Sequence, residues 1–571
     1  MAASTDDKML PLTSDTVSKD IVTWTFGGGN VDQNKPLYID VDDPDRFLSA
    51  NDCRRLVRQL CAGFRYHGLE QGDCVGVVSL NEIHYTSLFL GIIGAGGYFS
   101  GTNPTYKPDE LAQHMRTSEV KFFLTSPYTL EKVMAAAKEC GFPVERIFIL
   151  NYNNEDIPDG CQSWRLLLEH GETDWVNVRD SDNTPAAYLP TSGTSGLPKS
   201  AIITHKYFIS QAEYQLQISK SLPYEVKTLA AIAPFHGFMI PVQHTLPLRT
   251  GYQTYVMTRY SIEGFIAAIR KFRITHTAIV PPMMKTLAKY DTDELEPLRR
   301  IYVGGSDASS SGQLGLYKKL SADARIVNVY GMTEAGWAIT TIDEGRPASG
   351  SVGYPLPGFD LRLIDEHQIQ VDGEDMPGEI QIKAICPLKG YLNDPEATAA
   401  AFTKDGWLRT GDVGETKDGK MFVVGRIKDI IKVNGTQVSP THVEQTLMLY
   451  KVVADAAVIG RDDDNYGELP VAFVVRSADV NGVNDDILRQ SIKSWSVQKL
   501  GRHEQIKELD DIFFLDEIPK NPTGKILRRH LRDMLPDMME KAAEEKRAEQ
   551  WSAPGVSSLV SPDTADSMHV Q

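Results

Sequence analysis

The chain has 571 residues, 42% apolar and 24% charged, with a formal net charge of −17. That length allows three to four structural units with an ample core, and the negative field disfavours nucleic acid and anionic membrane surfaces as partners. The six cysteines (Cys53, Cys61, Cys74, Cys140, Cys161 and Cys386) include no C-x-x-C pair, which argues against a zinc site or disulfide framework and fits a reducing compartment.

In chain order, the polar, acidic N-terminus does not read as a signal or transit peptide. Residues 74–79 read as a buried strand and 83–97 as a helix, and the apolar run 88–99 is too short to span a bilayer. Strand signals recur at 119–124, 146–150, 228–232 and 277–280, with helical patterns such as 262–271 between them. Such alternation predicts parallel sheets covered by helices. After Gly350 the strands 361–364, 379–383 and 422–424 are short and punctuated by Gly and Pro, as in an antiparallel unit. From Lys428 an α+β pattern follows, with helices at 440–450 and 487–499 and strands at 455–459 and 471–475. Residues 534–551 read as an exposed charged helix, and the Ser/Pro/Asp-rich end as disordered. The terminal Met568-His-Val-Gln571 does not match the S-K-L peroxisomal address.

The expected class is therefore α/β. A large N-terminal body of α/β subdomains plus a β-rich subdomain covers 1–427. A small mobile α+β domain covers 428–535, and a charged helix with a loose tail covers 536–571. The expectation is a soluble, cytoplasmic protein with no membrane anchor and no nucleic-acid partner.

The densest chemistry lies in Tyr188-Leu-Pro-Thr-Ser-Gly-Thr-Ser-Gly-Leu-Pro-Lys-Ser200, between an apolar strand and a helix at 205–218. Gly193 and Gly196 let backbone N–H groups approach an anion. Thr191, Ser192, Thr194 and Ser195 add hydroxyl donors, and Lys199 adds a positive charge. The pattern is a phosphate cradle. It is not that of P-loop NTPases, because Pro198 stands where G-K-[ST] requires glycine.

This segment resembles the phosphate-binding signature of the adenylate-forming superfamily, which includes acyl-CoA synthetases, 4-coumarate:CoA ligases, beetle luciferases and peptide-synthetase adenylation domains. Four further motifs of that superfamily follow in order: Asn328-Val-Tyr-Gly-Met-Thr-Glu334, Arg409-Thr-Gly-Asp412, Gly425-Arg-Ile-Lys-Asp-Ile-Ile-Lys-Val-Asn-Gly435 and Pro519-Lys-Asn-Pro-Thr-Gly-Lys-Ile-Leu-Arg528. Gly390-Tyr-Leu-Asn-Asp-Pro-Glu-Ala-Thr398 looks like the plant coumarate ligase type. The resemblance covers about residues 40–535 and implies an ATP-dependent carboxylic acid:CoA ligase. In such a ligase the acid attacks the α-phosphate of ATP, pyrophosphate leaves, and coenzyme A takes the acyl group from the adenylate. Both reactants of the first step are anionic, so positive charge and fixed geometry must come from the protein and Mg²⁺.

Carried over by position, the resemblance implies that Thr191, Ser192, Gly193, Thr194, Ser195, Gly196 and Lys199 hold the β- and γ-phosphates. Thr333 would contact the α-phosphate and Glu334 would help bind Mg²⁺. Gly304, Gly305 and Ser306, with Asn328, Val329, Tyr330, Gly331 and Met332, would form the adenine slot, Tyr330 stacking on the base. Asp412 would accept the ribose hydroxyls, with Arg426 beside it. Lys525 would bridge carboxylate and phosphate oxygens during adenylation. Lys428 would be the hinge that withdraws it and brings Lys432 and Gly435 to the thioester step. Two positions depart from the pattern: Gly425 where aspartate is usual, and Asn434 where lysine is common.

His236, in Pro234-Phe-His-Gly-Phe238, matches the segment that closes over the acyl site, though a lone histidine among apolar residues is also ordinary core. No aspartate stands in 235–239 to pair with an ammonium group, so a free amino acid is disfavoured. Phe238, Met239, Val242, Met332, Trp337 and Ala338 are the expected acyl lining, suited to an aryl or arylpropenoic acid or a medium-length fatty acid; core packing is the other reading of Trp337. Asp307 either meets a substrate hydroxyl or caps the helix near Ser309, and the cap is favoured. The alternative acceptor is a separate carrier-protein thiol, since the chain contains no L-G-G-x-S segment of its own.

Overall fold

The computed structural model describes residues 19–28, 31–191, 199–219, 222–305, 310–342, 345–346, 350–521 and 524–552. Ser192 to Gly196 of the phosphate loop, Ser306 and Asp307, Pro522, and the tail 553–571 expected to be disordered lie outside them. The chain divides into two compact units at Val423/Val424, and each is described by itself.

The first unit is built on two sheets whose middle strands are parallel, as the alternating pattern predicts. One has seven strands: Gln162–Ser163, Ile147–Ile149, Val120–Thr125, Cys74–Val78, Tyr98–Gly101, Pro185–Thr191 and Lys199–Thr204 in spatial order. Its last pair turns antiparallel, with Thr191 opposite Lys199. The other has nine strands, and its parallel centre runs Arg325–Met332, Arg300–Gly304, His276–Ile279, Lys227–Ala230, Gln253–Val256. The central strands carry near-continuous apolar residues because helices cover both faces.

Local capping fixes where those helices start. Ala50–Tyr66 opens on a capping box between Ser49 and Asp52. Ile262–Phe272 opens on the Ser261 hydroxyl, which accepts from the N–H of Gly264. The Gly/Pro-punctuated region after Gly350 forms a four-stranded sheet, Phe359–Ile364, Gly378–Ala384, Leu408–Lys417 and Lys420–Arg426, antiparallel across its first three strands.

The second unit is a five-stranded sheet around Gly467–Arg476, with helices Pro440–Met448 and Asp485–Lys499 and the long helix Arg528–Ser552. That helix begins six residues before the charged segment expected from sequence, because its first turns bury Leu531 and Leu535 against Phe473 and Phe513.

Candidate nucleotide and acyl site

Strands Pro185–Thr191 and Lys199–Thr204 hold the two ends of the phosphate loop opposite one another. The Lys199 ammonium lies 5.1 Å from the centroid of the Tyr391 ring and 3.7 Å from Asp394 Oδ2. Asp394 is fixed in turn as the N-cap of helix Pro395–Ala401. The Tyr391 hydroxyl donates to Glu334 Oε1 at 2.9 Å, and Glu334 is buried. Burial first, and then the Glu334 charge, pushes the Tyr391 phenol far above its ordinary range. Cation, ring and carboxylate thus form one connected cluster. Nothing in its own segment gives Tyr391 a role; only the bridge pairing Ala201 with Tyr391 brings it here.

Thr333 is held through its carbonyl, which accepts from the hydroxyl of buried Tyr207 at 2.9 Å. Three residues before it, the Tyr330 hydroxyl donates to Asp412 Oδ2 at 2.8 Å. The expected base-stacking ring and ribose acceptor are therefore already joined. Asn328 is spent on the scaffold: it accepts from Gln313 Nε2 at 3.1 Å and donates to the Ser351 carbonyl at 2.8 Å. Val329 is buried beside it. The glycines are sterically required. A Cβ on Gly331 would sit 2.2 Å from the Gly336 carbonyl oxygen, and one on Gly304 would sit 3.0 Å from that of Val329. Gly305 has φ +95°, a conformation that favours glycine.

On the acyl side, the Phe238 and Trp337 rings stack with centroids 5.1 Å apart, and Trp337 Nε1 donates to the Phe238 carbonyl at 3.2 Å. Tyr302, which sequence reasoning missed, extends this wall at 5.3 Å from Trp337. Buried Met239 leads into a π-helical turn, Ile240–Thr245, that carries Val242. Ala338 falls at a bulge: Tyr330 pairs with Ile339 and Gly331 with Trp337, which leaves Ala338 as the extra residue. His236 is half-buried, and its Nδ1 accepts from the Phe238 N–H at 3.3 Å, a bond that puts the ring proton on Nε2. Burial lowers its pKa, so the imidazole is neutral at pH 7.

The remaining expected residues belong to the second unit. Asn434 and Gly435, with φ +50° and +78°, form the two-residue turn between paired Val433 and Thr436, the type I′ geometry that Asn-Gly favours. The departure from lysine at 434 thus has a backbone reason. Lys432 donates its N–H to Glu468 Oε2 at 2.5 Å. Arg426 ends strand Lys420–Arg426. Burial lowers the Lys428 pKa, opposed by Asp429 and reinforced by Arg426, Arg532 and Arg529. Lys525 sits on a loop closed by its own N–H to Asn521 Oδ1 and by the Asn521 N–H to its carbonyl, each 2.9 Å, with Gly524 at φ +82°.

Two helix-covered, largely parallel sheets, a β-rich subdomain and a separate α+β unit make up the architecture of an adenylate-forming enzyme. The solved anthranilate CoA ligase AuaEII, in complex with anthranoyl-AMP, shares this fold at a TM-score of 0.80 and 22% identity, covering 91% of this chain and 98% of that one. An acyl-CoA synthetase of Alternaria alternata is 36% identical over 510 residues, 87% of each chain. A phenylacetyl-CoA ligase of Aspergillus niger is 35% identical over 530 residues, 90% of this chain and 96% of that one. Residues 29–392 match the AMP-binding enzyme family and 442–525 its C-terminal domain; the chain belongs to that family.

Proposed function

We propose that this protein activates an aryl, arylpropenoic or medium-chain carboxylic acid. The chain is an AMP-forming acyl-CoA ligase, a class supported by family membership and by relatives above 30% identity over most of its length. ATP, coenzyme A and a small carboxylic acid are its substrates. The observation that carries the choice of acid is the stacked Phe238–Trp337 pair, a flat apolar wall extended by Tyr302 and backed by Met239. Flat rings gain most from such a surface.

In this reading Lys199 and the phosphate loop hold the β- and γ-phosphates while the acid attacks the α-phosphate. Tyr330 and Asp412 hold the nucleoside. Mg²⁺ would neutralise phosphate charge, and Glu334 is the residue that would hold it. A hard cation takes oxygen ligands, and a buried carboxylate fixed by Tyr391 beside the Lys199 ammonium fits that need. Lys525 stabilises the charge that develops in adenylation, and rotation at Lys428 exchanges it for the face carrying Lys432 and Gly435 when the thiol attacks. Neutral His236 gates the junction between acyl and thiol. All six cysteines are free thiols, which supports a reducing compartment such as the cytoplasm. No helix among the described residues is long and apolar enough to cross a membrane.

The test is pyrophosphate release on a panel of aryl, arylpropenoic and fatty acids, each with and without CoA. Release stimulated by CoA with a flat aromatic acid is the expected result. Release that ignores CoA would point to a carrier-protein thiol as acceptor.

A further inference from the structure

Behind the aromatic wall the N-terminal unit contains a cavity of about 30 Å³, room for roughly two waters. It shares Met239, Val242 and Tyr302 with the acyl wall proposed above, the reading on which this inference rests. Its floor is one face of the nine-stranded sheet. Thr228, His276 and Arg300 lie in one row across three adjacent parallel strands. Two residues further along on the same face come Ala278 and Tyr302, and two beyond Tyr302 comes Gly304. At the usual strand rise, Gly304 is roughly 13 Å from Arg300. The rings run the same way: Phe238 to Trp337 at 5.1 Å, Trp337 to Tyr302 at 5.3 Å, Tyr302 to His276 at 6.3 Å.

The far end of this run is polar and unsatisfied. Arg300 Nη1 and Gln215 Nε2 are both buried without a hydrogen-bond partner, and both residues line the cavity. Gln215 is 3% exposed. No carboxylate lies within ion-pairing distance of Arg300 among the described residues, and none is present among the described lining residues. Burial, and then the Arg300 charge, pushes the His276 imidazole down to about 3, so Arg300 is the cation of this wall. A buried donor left unmade is expensive. Two in one small cavity, with no acidic partner, describe a place for an acceptor that the protein does not itself supply.

We propose that this cavity is a specificity subsite for a second carboxylate at the far end of the acyl group, met by Arg300 and Gln215. The preferred acid then carries one carboxylate for adenylation and another about a strand's length away. An acid with a plain methyl or phenyl end leaves both donors without a charged acceptor, so it is turned over less efficiently than its carboxylate-ended partner.

The experiment uses matched acids with and without a terminal carboxylate, one linear pair and one aryl pair, assayed by CoA-dependent pyrophosphate release. The wild-type enzyme is expected to favour the member with the terminal carboxylate in kcat/KM. Arg300→Met should reduce that preference by about tenfold or more, chiefly through KM, and Gln215→Leu by a smaller factor. If Arg300→Met does not fold, Gln215→Leu and the wild-type preference decide. Robust CoA-dependent turnover of the plain acids, with the terminal carboxylate disfavoured or the preference unmoved by the variants, overturns the subsite and leaves the ligase reading standing. CoA-dependent release from no acid of either kind would overturn the substrate reading and the subsite together.

Discussion

On the proposed nucleotide side of the N-terminal unit the candidate side chains are joined by polar bonds: Lys199 to Asp394, Tyr391 to Glu334, Tyr330 to Asp412. On the acyl side the residues meet through rings and apolar contact, and the polar groups at its far end lack partners. The first arrangement, proposed above to hold a ligand common to the family, is joined before any ligand arrives. The second leaves its specificity to whatever completes it. Substitutions on the nucleotide side should therefore scale activity on all acids together, whereas those on the acyl side should reorder the acids.

Trp337→Ala tests the acyl side hardest. It removes a buried indole and its bond to Phe238, so urea unfolding should show a loss of about 3–5 kcal/mol. Among the molecules still folded, the ratio of aryl to aliphatic turnover should fall; an unchanged ratio would make Trp337 core only. Lys525→Ala should slow adenylation by about 10²–10³-fold, while transfer from preformed acyl-adenylate stays near the wild-type rate in single turnovers. Equal loss in both half-reactions would remove Lys525 from the adenylation role.

Asp412→Ala should raise the KM for ATP by an amount equivalent to about 1.5–3 kcal/mol, by the same factor for every acid. A factor that differed among acids would blur the contrast between the two sides. His244 lies in the π-helical turn Ile240–Thr245, its Nε2 2.8 Å from the Pro234 carbonyl, and burial pushes it down to about 4 from 6.5. Its folded pKa lies below the unfolded one. Between those values the unfolded chain binds the extra proton, so stability present above pH 6.5 is lost as pH falls toward 4. At pH 5.5 its share of the loss is about 1.4 kcal/mol, visible as an unfolding midpoint whose pH dependence lessens in His244→Gln without vanishing, because burial also holds down His114, His205 and His276. The smallest effect belongs to Tyr391→Phe, which deletes one hydrogen bond to Glu334 and should cost about 1 kcal/mol in kcat/KM for all acids alike.

The residues themselves show why one side was legible and the other was not. Thr191, Lys199, Thr333, Glu334 and Asp412, the residues proposed to grip phosphate and ribose, lie in short motifs, because such a grip can be built from neighbouring groups on one loop or strand end. Tyr391 lies inside such a motif, yet its place beside Lys199 depends on a bridge to Ala201, nearly two hundred residues earlier. Gln215, His276, Arg300 and Tyr302 carry no local signature at all. A helix and two strands bring them to one wall, and each looks ordinary in its own segment. Ala338 shows the same limit at smaller scale, since a bulge decides where it lies.

The sequence by itself determined the α/β class, most strand and helix positions, and the ordered motifs that carry the family membership. Those follow from periodicity and from spacing along a few residues, which are local properties of the chain. The tertiary structure alone decided which rings stack, where the π-helical turn falls, and that two buried donors share one cavity. These depend on the packing and register of distant segments, and no local window of sequence contains that information.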